Sequence, residues 1–288
     1  AVLGFRAGHP EVAVSSNLQG MALALPAPLN KSADALLPFR LDTALIRESV
    51  LPGPDGQVRL RDQLALEVGR MVSLVYQRDL STRVPKVLRG SIAVGLAADE
   101  SVVMPLSGVG ANLNLATLDV DAWRTVLTQV AGLASTDAAV PHLQGQADAA
   151  LGYLPSSFAV RAQELRVGGR KLNQLVIGGS REGTVWRANL DARQLNGYLE
   201  YRPPSDAEAG RLYARLSRLV IEPSAVSEVE HLLGEQPASI PALDIVVDDF
   251  ELRGKRLGRV EVEALNRGGE SPLREGGVRE WRLSKFNL

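Results

Sequence analysis

The chain of 288 residues contains no cysteine and only three histidines. Without thiols it can form no disulfide, no thiolate metal site and no cysteine nucleophile. Aromatic residues make up 5% of the chain, which argues against stacking surfaces for sugars or single-stranded nucleic acid. The formal net charge is −1, so no overall field attracts a polyanion. We therefore expect no nucleic-acid partner.

Long apolar runs are also missing. The most apolar early stretch, Met21 to Leu29, contains two prolines and is about half of the roughly 20 residues that a membrane span needs. No basic segment precedes it, so it does not resemble a signal peptide. The sequence opens on alternating residues without an initiator methionine. We infer that an N-terminal portion, with any targeting signal, is absent from this chain.

Apolar and polar residues alternate through much of the sequence, between short clusters of Gly, Pro, Asn and Asp. Examples are Glu11 to Ser15, Ser91 to Leu96, Asn112 to Leu115, Arg211 to Leu216 and Leu243 to Leu252. This pattern is typical of half-buried strands joined by tight connections. Such a sheet has one apolar face and one polar face. The sequence therefore predicts a mainly β fold.

Two segments have the spacing of helices. Asp121 to Ala134 begins with an aspartate suited to capping and carries apolar residues at helical intervals. Ser224 to Leu233 follows Pro223, has acids in its early turns and ends before Gly234. Both are predicted to be short covers on a sheet.

A strand–turn–strand motif occurs twice. The first copy is Leu165 to Leu172 followed by Leu175 and Ile177, and the second is Phe250 to Leu257 followed by Val260 and Val262. Each turn contains a glycine that can adopt positive φ, Gly169 or Gly254, and two basic residues. Each copy then reaches a Trp-Arg pair. The second copy stops at Leu288, before a counterpart of Asn189 to Tyr201, so we expect the natural protein to continue.

The polar residues form no recognisable catalytic or metal motif. The histidines His9, His142 and His231 lie far apart and lack ligand spacing, so we interpret them as incidental. Asp119 with Asp121, and Asp248 with Asp249, lack the further oxygen ligands of a calcium loop. We interpret Asp121 as a helix cap and the other three as turn or rim residues. Sequence spacing singles out no catalytic carboxylate pair.

Several ordered fragments carry a family resemblance. They are Ser16–Gly20, Leu25–Lys31, Leu118–Trp123, Trp186, Gly197, Tyr201, Gly210–Leu219, Ile240–Ile245, Asp248–Phe250, Leu257, Gly258 and Trp281–Leu283. On these residues the chain resembles the YhdP family, very large AsmA-like proteins of the Gram-negative envelope that are related in architecture to TamB. It resembles the C-terminal half of such a protein, without its membrane anchor. Asn30, where glycine is expected, and the insertion Arg267 to Glu280 depart from the pattern.

The resemblance implies a long, curved and twisted antiparallel sheet that forms an open groove or half-barrel, with a few short helices. It also implies a non-catalytic, periplasmic part of an inner-membrane-anchored protein that moves phospholipid to the outer membrane and supports its permeability barrier. No cofactor and no metal are expected. We expect one elongated unit made of two segments, 1–150 with the helix near 121–134, and 151–288 with copies near 165–201 and 250–288.

The alternation nominates residues that would line such a groove: Leu165, Val167, Leu175, Ile177, Leu212, Leu216, Val260 and Val262. An apolar face of this kind can instead pack against a second sheet in an ordinary sandwich. A second possibility is an assembly module whose sheet edges bind other envelope proteins. A third is an envelope hydrolase, which would need His142 or His231 beside a carboxylate.

Overall fold

Strands dominate the computed structural model of this chain. The structure describes residues 1–51, 56, 58–82, 84–97, 103–135, 149–204, 210–222, 241–267 and 280–288. Within these ranges it contains fifteen strands, a helix of 16 residues, the short helical turn Arg47–Val50 and helical residues at 149–151. The prediction of a mainly β fold with few helices is confirmed.

The chain divides into two compact units, Ala1–Gly169 and Arg170–Leu288. The first contains β1 (Val2–Arg6), β2 (His9–Ser16), β3 (Phe39–Leu45), β4 (Arg61–Val68), β5 (Val72–Asp79), β6 (Lys86–Val94), β7 (Gly108–Asp119), α1 (Val120–Ser135) and β8 (Ser157–Val167). The second contains β9 (Arg170–Glu182), β10 (Val185–Asp191), β11 (Leu195–Arg202), β12 (Arg211–Ile221), β13 (Ala242–Leu252), β14 (Lys255–Arg267) and β15 (Glu280–Asn287). Residues 151–169 group with the first unit because β8 pairs with β7.

The strands follow one another in the sheet in the order of the chain, and the sheet does not close. Most neighbours are antiparallel, as in β4 with β5 and β9 with β10. Three pairs are parallel: β6 with β7, β7 with β8, and β12 with β13. The predicted long open sheet is confirmed, and it is mixed rather than wholly antiparallel. Parallel neighbours need a crossover connection, and α1 lies in the one between β7 and β8.

The two copies of the repeated motif have matching turns. Gly168 and Gly169 join β8 to β9 with φ of 57° and 70°. Arg253 and Gly254 join β13 to β14 with φ of 53° and 76°. A two-residue hairpin turn of this type requires positive φ at both positions, which glycine adopts without steric cost. The predicted strand–turn–strand motif is confirmed in both copies. Each copy also follows a strand that is parallel to its first strand.

Helix α1 is capped by a different residue from the one that the sequence suggests. Asp121 to Ala134 was the predicted extent, and the helix spans Val120–Ser135. The backbone N–H of Ala122 donates to Asp119 Oδ1 at 2.8 Å, so Asp119 is the N-cap. The assignment of Asp121 as the cap is wrong, because two nearby aspartates were equally suited. The second predicted helix, 224–233, lies outside the described residues.

Asp121 instead holds the turn between β8 and β9. Its carboxylate accepts from the backbone N–H groups of Gly168 at 2.9 Å and Gly169 at 3.0 Å. These bonds, the one from Gly169 first, lower the pKa of Asp121 because they stabilise the charged carboxylate. Two residues along α1, Trp123 Nε1 donates to the carbonyl oxygen of Ala27 at 3.1 Å. Hydrogen bonds to the β8–β9 turn and to the Ala27 carbonyl oxygen therefore hold the first turn of α1 in place.

Candidate functional site

In the first unit the strand register arranges apolar residues in rows that cross the sheet. One row, from β2 to β8, consists of Val14, Leu41, Leu66, Leu74, Ile92, Ala111 and Phe158. The adjacent row consists of Val12, Thr43, Leu64, Tyr76, Gly90 and Val109. Residues two apart on a strand share a face, so both rows belong to the same face of the sheet. We call it the apolar face of the first unit.

A corresponding face crosses the second unit from β9 to β15. One row consists of Ile177, Leu190, Gly197, Leu216, Val247 and Val260. The next consists of Gly179, Ala188, Leu199, Ala214, Ile245, Val262 and Phe286. These two rows contain no polar side chain. We call this surface the apolar face of the second unit.

The apolar face of the second unit is buried unevenly. Ala214, Leu216 and Val247 form a core cluster with relative exposures of 2%, 6% and 2%. Ile177 and Val262, farther out on the same face, are only half-buried. All fifteen strands described lie in one sheet, and each contacts chiefly its sheet neighbours, so the described residues provide no second sheet over this face.

The opposite face of the second unit carries paired charges. Arg187 Nε donates to Glu200 Oε2 at 3.1 Å, from β10 to β11. Arg215 Nη2 lies 2.8 Å from Asp244 Oδ1, from β12 to β13. Lys285 Nζ donates to Glu261 Oε2 at 2.6 Å, from β15 to β14.

These ion pairs are exposed to solvent, and hydrogen bonding shifts the pKa values of their members. The bonds to Glu182 and then Glu200 raise the pKa of Arg187. The bonds from Lys285 and then Arg259 lower the pKa of Glu261. Both shifts favour the charged forms. This face therefore carries charged groups in contact with solvent. The sheet of the second unit is amphipathic from β9 to β15.

Six of the residues nominated from sequence share the apolar face of the second unit. Ile177, Leu216 and Val260 lie in one row, Val262 lies in the next, and Leu212 lies in a third row that contains Leu243. Leu175, two residues before Ile177 in β9, lies on the same face and is 1% exposed. The other two nominated residues, Leu165 and Val167, belong to β8 in the first unit, at 7% and 39% exposure. The structure thus brings the nominated residues of the second unit together on one face.

The sequence reasoning overlooked the contribution of β10 and β13 to this face. In β10, Trp186, Ala188 and Leu190 alternate with Arg187 and Asn189, which is the same period-2 signal used elsewhere. In β13 the same alternation was recognised, but no residue of this strand was nominated. Val247 lies between Leu216 and Val260, and Ile245 lies between Ala214 and Val262. Both strands could have been found by alternation alone.

One end of the apolar face of the first unit carries a polar cluster. Arg78 Nε donates to Asp62 Oδ1 at 2.9 Å, and Asp62 is 6% exposed. Arg78 Nη1 also donates to the hydroxyl of Tyr153 at 3.2 Å, and the Tyr76 hydroxyl donates to the Tyr153 carbonyl oxygen at 3.1 Å. Desolvation by burial raises the pKa of Tyr76, while the bond to Asp62 raises the pKa of Arg78. Both shifts favour the protonated forms of these two groups.

Titratable groups elsewhere in the described part of the chain do not gather into a metal site. No group of three or more His, Asp or Glu side chains has a suitable arrangement there. His9 lies in β2, whereas His142 and His231 fall outside the described residues. No helix among the described residues is long and apolar enough to cross a membrane.

The chain was compared with known proteins. Residues 5–281 match a family model described as YhdP protein. That range includes the rows of both apolar faces except for Phe286 in β15. No curated protein and no solved structure matches the chain.

Proposed function

Because the chain belongs to the YhdP family of AsmA-like envelope proteins, we propose that it is a non-catalytic segment of a bridge-like lipid transfer protein. In this proposal it lies in the periplasm, as part of a protein anchored in the inner membrane by a segment outside this chain. It carries phospholipid acyl chains along its apolar faces between the inner and outer membranes. The outer-membrane permeability barrier depends on that supply of phospholipid.

One observation carries the proposal: an apolar face lies opposite a solvated, ion-paired face, and the described residues provide no second sheet above it. Each methylene that moves from water onto such a face contributes about 0.8 kcal/mol. An acyl chain therefore gains several kcal/mol without any directed hydrogen bond. Because this attraction is not directional, a lipid can move along the face without breaking specific contacts.

Site-specific photo-crosslinking tests the proposal. A photoreactive amino acid is placed at Ile177 or Val262 on the apolar face, and in matched variants at Val176 or Glu261 on the opposite face. Val176 is a suitable control because it is 50% exposed and pairs with Asp191 on the polar face. We expect phospholipid adducts, identified by mass spectrometry, only at Ile177 and Val262. Equal labelling of both faces would contradict the proposal.

A further inference from the structure

One row on the apolar face of the first unit is buried to different depths along its length. This row, the Tyr76 row, consists of Val12, Thr43, Leu64, Tyr76, Gly90 and Val109, from β2 to β7. Its first three residues are half-buried, whereas Tyr76 is 6% and Val109 is 1% exposed. In the adjacent row, the Leu74 row, Leu74 and Ile92 on β5 and β6 are half-buried. The Tyr76 row is therefore covered from β5 onwards, while its neighbour stays partly accessible on the same strands.

Residues 149–156, which lie just before β8, contact this covered part of the row, and we call them the strap. The ring of Tyr153 meets the ring of Tyr76 edge to face, with the two centroids 5.1 Å apart. The backbone N–H of Val109 donates to Ser156 Oγ at 3.0 Å, and the backbone N–H of Ser156 donates to the Val109 carbonyl oxygen at 2.8 Å. The strap therefore reaches from β5 to β7 at the buried end of the Tyr76 row.

Two glycines leave the space that these contacts need. A Cβ atom at Gly90 would lie 2.5 Å from Cδ1 of Tyr76, which is closer than such atoms approach in proteins. The Tyr76 ring therefore lies against the backbone of β6, with the ring of Tyr153 on it. A Cβ atom at Gly108 would collide with Oγ of Ser156 in the same way. The sheet is thus shaped to receive the strap at this position.

A largely buried ion pair holds Tyr153 in place. Arg78 Nη1 donates to the Tyr153 hydroxyl at 3.2 Å, and the Tyr76 hydroxyl donates to the Tyr153 carbonyl oxygen at 3.1 Å. Arg78 is oriented by Asp62, to which its Nε donates at 2.9 Å, and both side chains are largely buried. The side chain of Tyr153 therefore combines the ring contact with a hydrogen bond from a charged donor, and such bonds are stronger than those between neutral groups.

We propose that the strap, through Tyr153, stops acyl chains on the Tyr76 row and confines lipid in the first unit to the Leu74 row. The proposal rests on the lipid-carrying function above. An acyl chain that follows the Tyr76 row from β2 passes Leu64 on β4 and then meets the ring of Tyr153 over β5. The Leu74 row continues past this point, so a chain that lies there can extend farther across the sheet.

The lengths of the two rows support this assignment. Neighbouring strands lie about 4.8 Å apart, so the accessible part of the Tyr76 row, from Val12 to Leu64, spans about 10 Å. An acyl chain reaches about 15 Å, which is half of the hydrocarbon thickness of a bilayer. The half-buried part of the Leu74 row, from Val14 to Ile92, crosses five strands and spans about 19 Å. Only the Leu74 row is long enough for a chain that lies along it.

Labelling with a photoreactive lipid tests the proposal. The 288-residue chain is mixed in detergent with a phosphatidylethanolamine that carries a diazirine in one acyl chain, then irradiated, and the labelled residues are identified by mass spectrometry. We expect labels on Leu66 and Leu74 and none on Tyr76 or Val109. In Tyr153→Ala, labelling of Tyr76 and Val109 should rise about tenfold or more, because an aromatic pair and a hydrogen bond from an arginine are lost.

Two further variants serve as controls. Tyr153→Phe keeps the ring on Tyr76, so Val109 should be labelled less in this variant than in Tyr153→Ala. Tyr198→Ala removes a tyrosine from another edge-to-face pair, in the second unit, where the rings of Tyr198 and Tyr213 are 6.2 Å apart. It should leave the labelling of the first unit unchanged.

The outcomes separate the stop from the function on which it rests. Equal labelling of Tyr76 and Leu74 in the wild-type chain would overturn the stop. It would also be overturned if Val109 stayed unlabelled in Tyr153→Ala while Leu74 and Ile177 were labelled as in the wild type. If neither Leu74 nor Ile177 is labelled in any variant, the lipid-carrying function itself fails.

Discussion

Truncation of apolar side chains at two positions in β12 distinguishes an open apolar face from one covered by a second layer. Leu216 is 6% exposed and packs with Val247 and Ala214, whereas Leu212 on the same face is half-buried. Leucine-to-alanine changes in a closed core cost about 2 to 5 kcal/mol, through lost transfer free energy and the cavity left behind. For Leu216→Ala we expect about 2 to 3 kcal/mol, because no second sheet among the described strands covers this site, which can then relax or admit water.

Leu212→Ala is expected to cost about 1 kcal/mol, since a half-exposed side chain loses only part of its burial. The free energy of unfolding is measured by urea denaturation, followed by far-UV circular dichroism, and the dependence on urea is compared between variants. Ser217→Ala, in the same strand, is a control with an exposed side chain. If Leu212→Ala costs as much as Leu216→Ala, the whole face is covered, and the sheet is half of a sandwich rather than a lipid-carrying surface.

Three further predictions concern the helix and the repeated turns. Asp121→Asn should reduce the protection of the amides of the β8–β9 turn, measured by hydrogen exchange, because the neutral amide is a weaker acceptor than the carboxylate. Since folding lowers the pKa of Asp121, its stabilisation is present above the ordinary pKa of an aspartate and is lost as the pH falls through the lowered value, so wild-type and Asp121→Asn stabilities should converge in acid. Gly254→Ala should lower the free energy of unfolding by about 1 kcal/mol, because φ of 76° is unfavourable for any side chain, and urea denaturation checks this. Trp123→Phe, which keeps a ring but removes the donor to the Ala27 oxygen, should cost about 1 kcal/mol in the same assay.

Local sequence signals predicted the turns and the strands well because those features depend on few residues. A glycine between two alternating segments fixes a hairpin, and Gly169 and Gly254 form the predicted turns. Strand direction is different, since alternation is the same in parallel and antiparallel neighbours. The parallel pairing of β12 with β13 depends on the connection between them, and nothing within Arg211 to Leu216 encodes it. The cap of α1 was missed for a related reason: Asp121 is engaged by a turn that lies far away in sequence.

Which residues share the candidate site depends on the pairing register between neighbouring strands. Alternation within a single strand does not determine that register. A bulge between Asn196 and Gly197 and another between Glu263 and Ala264 shift the phase of β11 and β14 against their partners. A single-residue shift moves every later side chain to the other face. Counting alternate residues therefore finds Leu212 and Leu216 within one strand, but it cannot align them with the residues of neighbouring strands.

Arg181 shows what register adds to the functional argument. In the sequence it precedes Glu182 and Gly183 and looks like an ordinary solvated residue beside a turn. Pairing with Trp186 places it on the apolar face, while Glu182, one residue later, faces Arg187 on the other side.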